Sequence, residues 1–142
     1  MNVLLLGDLI LDKYIFGDVS RISPEAPIPI LDHIKEEFVL GGALNVARNL
    51  NNLDNHVYSV GILGKDDAAN SVSDIMNEEN LSTDFIVYDN QSITSKKTRF
   101  IASNQQLLRL DVESNTYSKK NESQLIKIVA SLIRKVDFVL IS

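Results

Sequence analysis

Asp8 follows the apolar run Val3-Leu4-Leu5-Leu6 and a glycine, where a strand covered on both faces would end. At the carboxyl end of a strand in an open α/β sheet, a carboxylate is placed to accept hydrogen bonds from ligand hydroxyls. The same residue could form a turn or cap a helix, although no helical spacing follows it. Gly41 and Gly42 end a second apolar run, and a helical pattern starts at once with Ala43, Leu44, Ala47 and Leu50. The glycines permit φ > 0 and close approach, and the helix start presents unpaired N–H groups suited to an anion or an oxygen-rich ligand. Asn45, in the first turn, can both donate and accept. The competing reading is a tight strand-to-helix connection in which Asn45 only caps or is solvated. A third set is cationic: Lys96, Lys97 and Arg99, with Arg109 across a turn. Lys97 and Arg99 share one strand face. They could bind a phosphate, or they could be edge-strand charges that block aggregation.

Other chemistries are excluded. Gly61-Ile62-Leu63-Gly64-Lys65-Asp66 has two residues between its glycines and an Asp after the Lys, so it is no Walker phosphate loop. His33 and His56 are far apart and have no partner at ligand spacing, so no metal site is expected. The absence of cysteine removes disulfides, thiolate metal sites and thiol nucleophiles. A formal charge of −5 argues against a nucleic-acid or anionic-membrane surface. The amino terminus has no basic region, and its apolar run is too short for a signal peptide or a membrane span. A cytoplasmic location is the expectation. With 142 residues, 44% hydrophobic and 23% charged, the chain can bury one real core.

The elements that must hold these residues read as follows. Val3–Leu6 is a core strand. No crossover helix follows it. All three prolines lie in the next thirty or so residues, with strand candidates at Leu11–Phe16, Ile28–Ile34 and Glu36–Leu40. Such an excursion reads as a small β subdomain beside the main sheet, often a lid. A helix over Ala43–Leu53 precedes a strand at Val57–Gly61. Asp66 caps a helix carrying Ala68, Ala69, Val72, Ile75 and Met76 that ends near Asn80. Phe85–Tyr88 is a strand, and Thr94–Ala102 with Asn104–Asp111 form a hairpin about Ser103-Asn104. Ser118–Val136 is a helix, with Arg134 and Lys135 in its last turn, and Phe138–Ser142 begins another core strand.

Gly7-Asp8-Leu9-Ile10-Leu11-Asp12-Lys13-Tyr14, then Gly17-Asp18-Val19-Ser20-Arg21-Ile22-Ser23-Pro24-Glu25-Ala26-Pro27-Ile28-Pro29, resemble the start of the bacterial D-glycero-β-D-manno-heptose 7-phosphate kinases. Gly41–Ala47 resembles the wider ribokinase-like (PfkB) pattern, and Gly61–Asp66 its Gly-x-x-Gly-x-Asp stretch. Asn104–Asp111 resembles the heptose kinase subgroup again, so matches run from about residue 3 to 111. The resemblance implies a ribokinase-like α/β fold: a doubly wound, mostly parallel sheet with a small β-sheet lid, here segments 11–40 and 94–111. Residues 1–142 would be the amino-terminal part of a single such domain, truncated at the carboxyl side.

It further implies a kinase that phosphorylates the anomeric hydroxyl of heptose 7-phosphate with ATP and Mg²⁺, on the route to ADP-heptose for lipopolysaccharide cores. Asp8, Gly42 and Asn45 would hold sugar hydroxyls. Asp12, Gly41 and Asn104, inside the matching motifs, join the expected substrate-binding set, and Lys97, Arg99 and Arg109 are candidates for the 7-phosphate. A homodimer through the lid is the expected partner. The family's Gly-Ala-Gly-Asp motif, with its catalytic base and anion hole, does not occur in these 142 residues. The base is therefore expected beyond Ser142, along with most ATP contacts, and no cofactor is expected to bind this chain tightly. Two other readings stand beside this one: another PfkB-type sugar kinase, and a non-catalytic binding or dimerisation module built on the lid.

Overall fold

The computed structural model describes residues 1–114 and 116–142. In chain order the elements are β1 (Asn2–Leu6), β2 (Leu9–Ile22), β3 (Pro29–Gly42), α1 (Ala43–Asn52), β4 (His56–Gly64), α2 (Asp67–Glu78), β5 (Ile86–Asp89), β6 (Ser95–Ala102), β7 (Gln105–Val112), α3 (Lys119–Leu132) and β8 (Phe138–Ile141). Leu4 and Leu5 show why β1 sits at the centre. They are adjacent and fully buried, yet they belong to different clusters. Leu5 packs with Ala43, Leu44 and Ala47 of α1 and with Ala69, Val72 and Met76 of α2. Leu4 packs with Val60 and with Leu132 of α3. Each buried leucine contributes about 2 kcal/mol, so a strand apolar on both faces needs a helical layer on each side. β1 pairs in parallel with β4 and β8, and β4 with β5, in the order β5-β4-β1-β8. This is the doubly wound parallel sheet expected.

A second sheet has the order β3-β2-β6-β7. β2 and β3 are antiparallel, β2 and β6 parallel, β6 and β7 antiparallel. Its root is not a separate body: Leu9, Leu11 and Leu40 lie in the same cluster as Leu5. The sequence suggested three short strands here. Instead β2 runs on past Phe16 to Ile22, and Ile28–Ile34 and Glu36–Leu40 fuse into the single strand β3. The polar stretch at Lys35-Glu36-Glu37 stays in the ladder because its backbone pairs with β2, and Lys35 lies 4.8 Å from the centre of the Phe16 ring. Two register shifts, at Phe16/Gly17 and Asp18/Arg21, bend the ribbon. Pro24 and Pro27 fall in the connecting turn, which the Ser23 N–H closes onto the Ile28 carbonyl at 2.9 Å.

α3 ends at Leu132, short of the expected Val136, so Arg134 and Lys135 lie beyond its last turn. The chain turns tightly there, Lys135 N–H to Leu132 carbonyl at 2.7 Å, and delivers the Asp137 N–H to the Asn2 carbonyl at 2.8 Å, where β8 starts beside β1. Among the described residues no helix is long and apolar enough to cross a membrane.

Two carboxylates stitch the layers. Asp66 caps α2 through the Ala69 N–H at 2.9 Å, and its other oxygen accepts the Thr94 N–H at 2.8 Å just before β6. Asp89, only 2% exposed, accepts the N–H groups of Gln91 and Ser118, each at 2.9 Å, and so joins the end of β5 to the start of α3. Desolvation raises the Asp66 carboxyl, but the N–H groups of Thr94 and Ala69 outweigh it and hold it below the usual range. The Ser118 N–H, then that of Gln91, lowers Asp89 likewise. Both carboxyls are depressed in the fold, so the unfolded chain takes up more protons as pH falls. Their contribution is complete above the unfolded carboxylate range and is lost as pH drops through the folded values. Thermal melts between about pH 7 and about pH 3 should therefore show stability falling at the acid end. Asp66→Ala should cost about 1–2 kcal/mol at neutral pH and flatten that acid slope.

Candidate functional site

Asp8 stands where β1 and β8 run out beside the middle of β4. Gly7 N–H reaches the Val60 carbonyl of β4 at 3.3 Å, Asp8 N–H reaches the Ser142 carbonyl after β8 at 3.2 Å, and Ser142 N–H returns to Leu6 at 3.0 Å. The Asp8 carbonyl accepts the Ala43 N–H at 2.9 Å, at the first residue of α1. The backbone of Asp8 is thus held on two sides. Its carboxylate is exposed, and among the described residues no hydrogen bond or ion pair engages it. The Asp8 carbonyl thus satisfies the first N–H of α1, while its carboxylate has no partner among the described residues.

Gly42 makes this junction possible. It is the N-cap of α1 at φ 55°, ψ −134°, and a Cβ there would strike the Asp8 carbonyl oxygen. A left-handed φ with the rest of that ψ is open only to glycine. No side chain caps α1 and no acid lies in its first turn, so its positive end faces outward beside Asp8. Asn45 is exposed there, its Oδ1 accepting from Arg48 at 2.8 Å. Gly41 answers a different need: the Asp12 carboxylate lies against it, in space that any Cβ would fill. The sequence set Asp8, Asp12, Gly41, Gly42 and Asn45 is gathered at one place.

The cations come together as well, but not as free charges. Ladder registry sets Asp12 beside Lys97 beside Asp111, and Tyr14 beside Arg99 beside Arg109, all on one face of the second sheet. Arg99 bonds Asp12 and lies 5.2 Å over the Tyr14 ring. Lys97 pairs with Glu113 at 3.6 Å, and Arg109 with Asp111 at 2.9 Å. The Asp12 hydrogen bond outweighs burial, which acts the other way, and together with the Asp12 charge raises the Arg99 guanidinium further. The basic patch read from the sequence is a charge-balanced network. A phosphate would reach these cations by partner exchange with carboxylates. The strand alternation made the shared face legible; Glu113, beyond β7, carried no such signal.

Asn104 does not join the site. It lies in the β6–β7 turn at φ 62°, after Ser103 at φ 49°, two positive values that a tight hairpin demands and Asn tolerates. β6 carries it about 25 Å from Asp8, at 3.3 Å per residue. Gly61 and Gly64 fall inside β4, and Lys65-Asp66 leads into the α2 cap, so no phosphate loop exists there. Next to Asp8, residues not singled out in the sequence line a cleft of about 430 Å³: Ser95, Tyr117, Glu122 and the apolar Leu125 and Ile126. Among the described residues no cluster of His and acidic side chains could hold a metal ion.

The sequence profile of the pfkB family of carbohydrate kinases matches residues 6–142. The bifunctional protein HldE of Aliarcobacter butzleri (strain RM4018) is 38% identical over 142 residues, covering 99% of this chain and 30% of that protein. The protein of the same name from Helicobacter pylori (strain J99) is 38% identical over 145 residues, 99% of this chain and 31% of its own length. The chain thus spans about three tenths of the curated relatives it matches. Escherichia coli phosphofructokinase-2, solved with fructose-6-phosphate, superposes with a TM-score of 0.75 at 18% identity, over 99% of this chain and 44% of that one. Arabidopsis thaliana ribokinase, solved with ribose and ATP, gives 0.66 at 16% over 98% and 44%. These likenesses establish the ribokinase-like fold.

Gly42→Ala should destabilise the chain by about 2 kcal/mol or more, from the backbone strain and the clash with the Asp8 carbonyl. Gly41→Ala should instead displace the Asp12 carboxylate, which denaturant melts alongside Asp12→Ala would register as a non-additive pair.

Proposed function

The chain belongs to the pfkB family of carbohydrate kinases, and on that footing we propose that it forms the sugar site and lid of a heptose 7-phosphate kinase. The reaction would move a phosphoryl group from ATP, with Mg²⁺, to the anomeric hydroxyl of D-glycero-β-D-manno-heptose 7-phosphate. The observation that carries this reading is one juxtaposition. An unengaged carboxylate and a helix start with no side-chain cap stand at the sheet end, beside a strand face bearing Lys97, Arg99 and Arg109. The identity to two HldE proteins over nearly the whole chain supports heptose among the family's sugars.

In this reading Asp8 accepts hydrogen bonds from sugar hydroxyls and fixes the ring, and Asn45 and the first N–H groups of α1 take further oxygens. The second sheet covers the sugar and keeps water out. Arg99 offers its remaining donors to the 7-phosphate while Asp12 and Tyr14 hold it. The residues described here include no loop that fits a nucleotide phosphate and no Gly-Ala-Gly-Asp motif. Donor binding and the catalytic base are accordingly assigned to residues other than these.

The other face of the second sheet favours self-association. Phe38, Leu108 and Leu110 share that face by registry, and Leu108 and Leu110 are 60% and 52% exposed. A second copy of the same face would bury them, giving a homodimer through the lid.

Heptose 7-phosphate should raise the melting temperature, and Asp8→Asn should weaken its binding at least about tenfold, a lost charged hydrogen bond. Stabilisation by fructose 6-phosphate or ribose but not by heptose 7-phosphate would move the reading to another sugar. The 142-residue chain should show no ATP-dependent turnover in a phosphotransfer assay; turnover would overturn the assignment of the base. Leu108→Asp with Leu110→Asp should shift a dimer to monomer in sedimentation, while a wild type that sediments as a monomer would end the dimer proposal.

A further inference from the structure

Arg48 lies in the middle of α1, one turn past Asn45, with its guanidinium forked between two partners. Its Nη2 donates to Asn45 Oδ1 at 2.8 Å, and its Nη1 lies 3.6 Å from Glu79 Oε1 at the C-cap of α2. Arginine has donors only, so the end of the Asn45 amide that meets it is the oxygen. The exposed Asn45 keeps its Nδ2, with two N–H donors, unbonded among the described residues. Glu79 keeps Arg48 from swinging away. Its backbone is fixed twice: its N–H reaches the Ile75 carbonyl at 2.9 Å, and its carbonyl accepts from Asn51 Nδ2, also on α1, at 3.3 Å. Its Oε2 is buried with no hydrogen bond. The charge there therefore depends on Arg48, the one cation paired with it among the described residues.

We propose that Arg48, braced by Glu79, is a positioning residue that acts on the ligand through Asn45, an inference that rests on the sugar-site reading above. An exposed asparagine amide left to itself presents either its oxygen or its nitrogen. With Oδ1 taken by Arg48, Asn45 turns only donors outward, while the ionised Asp8 offers only acceptors. The two polar groups beside the Asp8–Ala43 bond thus have fixed and opposite roles before any ligand arrives. The entropy of ordering the amide is lost in the free protein, so binding does not have to supply it. The line of contacts runs from the end of α2 through the middle of α1 to its first turn, and Arg48 itself touches no ligand.

The test is a double-mutant cycle read by calorimetric titration of the full-length chain with heptose 7-phosphate, fructose 6-phosphate and ribose. Arg48→Met keeps the apolar stem and removes the donors. It should weaken whichever sugar binds by about threefold to tenfold, the size of one neutral hydrogen bond. In an Asn45→Ala background the same substitution should change affinity by less than about twofold, because its route to the ligand is gone. Arg48→Lys keeps a cation against Glu79 but lacks the fork that spans both partners, so it repeats the cycle where the Met variant fails to fold. Denaturant melts of the same variants follow the fold separately; a purely structural Arg48 would lower stability in both backgrounds and leave sugar affinity alone. If the folded Arg48 variant binds sugar as wild type does, or loses affinity equally with and without Asn45, the positioning proposal is overturned and the sugar-kinase reading survives. If heptose 7-phosphate fails but another sugar binds and shows the coupling, the role of Arg48 stands and the heptose assignment falls. If no sugar in the panel binds the wild type, both fall.

Discussion

One backbone hydrogen bond, from the Ala43 N–H to the Asp8 carbonyl, governs the architecture of the site. It can form only because Gly42 turns through φ 55° with no Cβ in the way. That contact brings the start of β2, the end of β3 and the first turn of α1 to one point. It also settles which oxygen of Asp8 does what. The carbonyl satisfies the helix, so the carboxylate needs no structural partner. A free carboxylate at a crowded junction is costly to keep in a fold unless the junction leaves it in solvent, which is where Asp8 remains.

The charged face of the second sheet illustrates a second constraint. Eight charged groups (Lys35, Lys97, Arg99, Arg109, Asp12, Glu37, Asp111 and Glu113) fall on or beside one strand face by alternation and registry. Left unpaired, like charges on neighbouring strands would destabilise the sheet. Pairing each cation with an acid relieves this. The exposed pairs contribute little to stability, within about 1 kcal/mol, so exchanging a carboxylate for a ligand phosphate costs little. The Arg99–Asp12 pair is better shielded and backed by Tyr14.

Much of this was legible in the sequence, for reasons that can be named. Leu4-Leu5-Leu6 announced a two-sided strand because continuous apolarity has few other uses. Asp66 announced a cap because its helical pattern started at the next residue, and Ser103-Asn104 a turn because a tight hairpin needs φ > 0. Strand alternation put Lys97 and Arg99 on one face. What stayed hidden depended on pairing between distant segments. The fusion of β3 through Lys35-Glu36-Glu37 follows from its ladder with β2, which composition there argues against. The early end of α3 follows from where β8 must dock, against the apolar period that runs on to Val136. Tyr117 and Glu122 meet Asp8 only through the packing of α3, and Asn104 is explained by its turn, not by the site its motif suggested.

The link between the two sheets has a thermodynamic reading. β1 and β2 are separated only by Gly7 and Asp8, and β3 passes into α1 at Gly42 with no residue between. The Asp8–Ala43 bond pins these two crossings together. At these two crossings any rotation of the second sheet against the first falls on the φ and ψ of Gly7, Asp8 and Gly42. The residue proposed to meet the sugar is therefore part of the pivot. On the proposed reading, free energy that a ligand gains by fixing Asp8 would be shared with the angle of the second sheet, and by reciprocity a second sheet held at one angle would tune the affinity at Asp8.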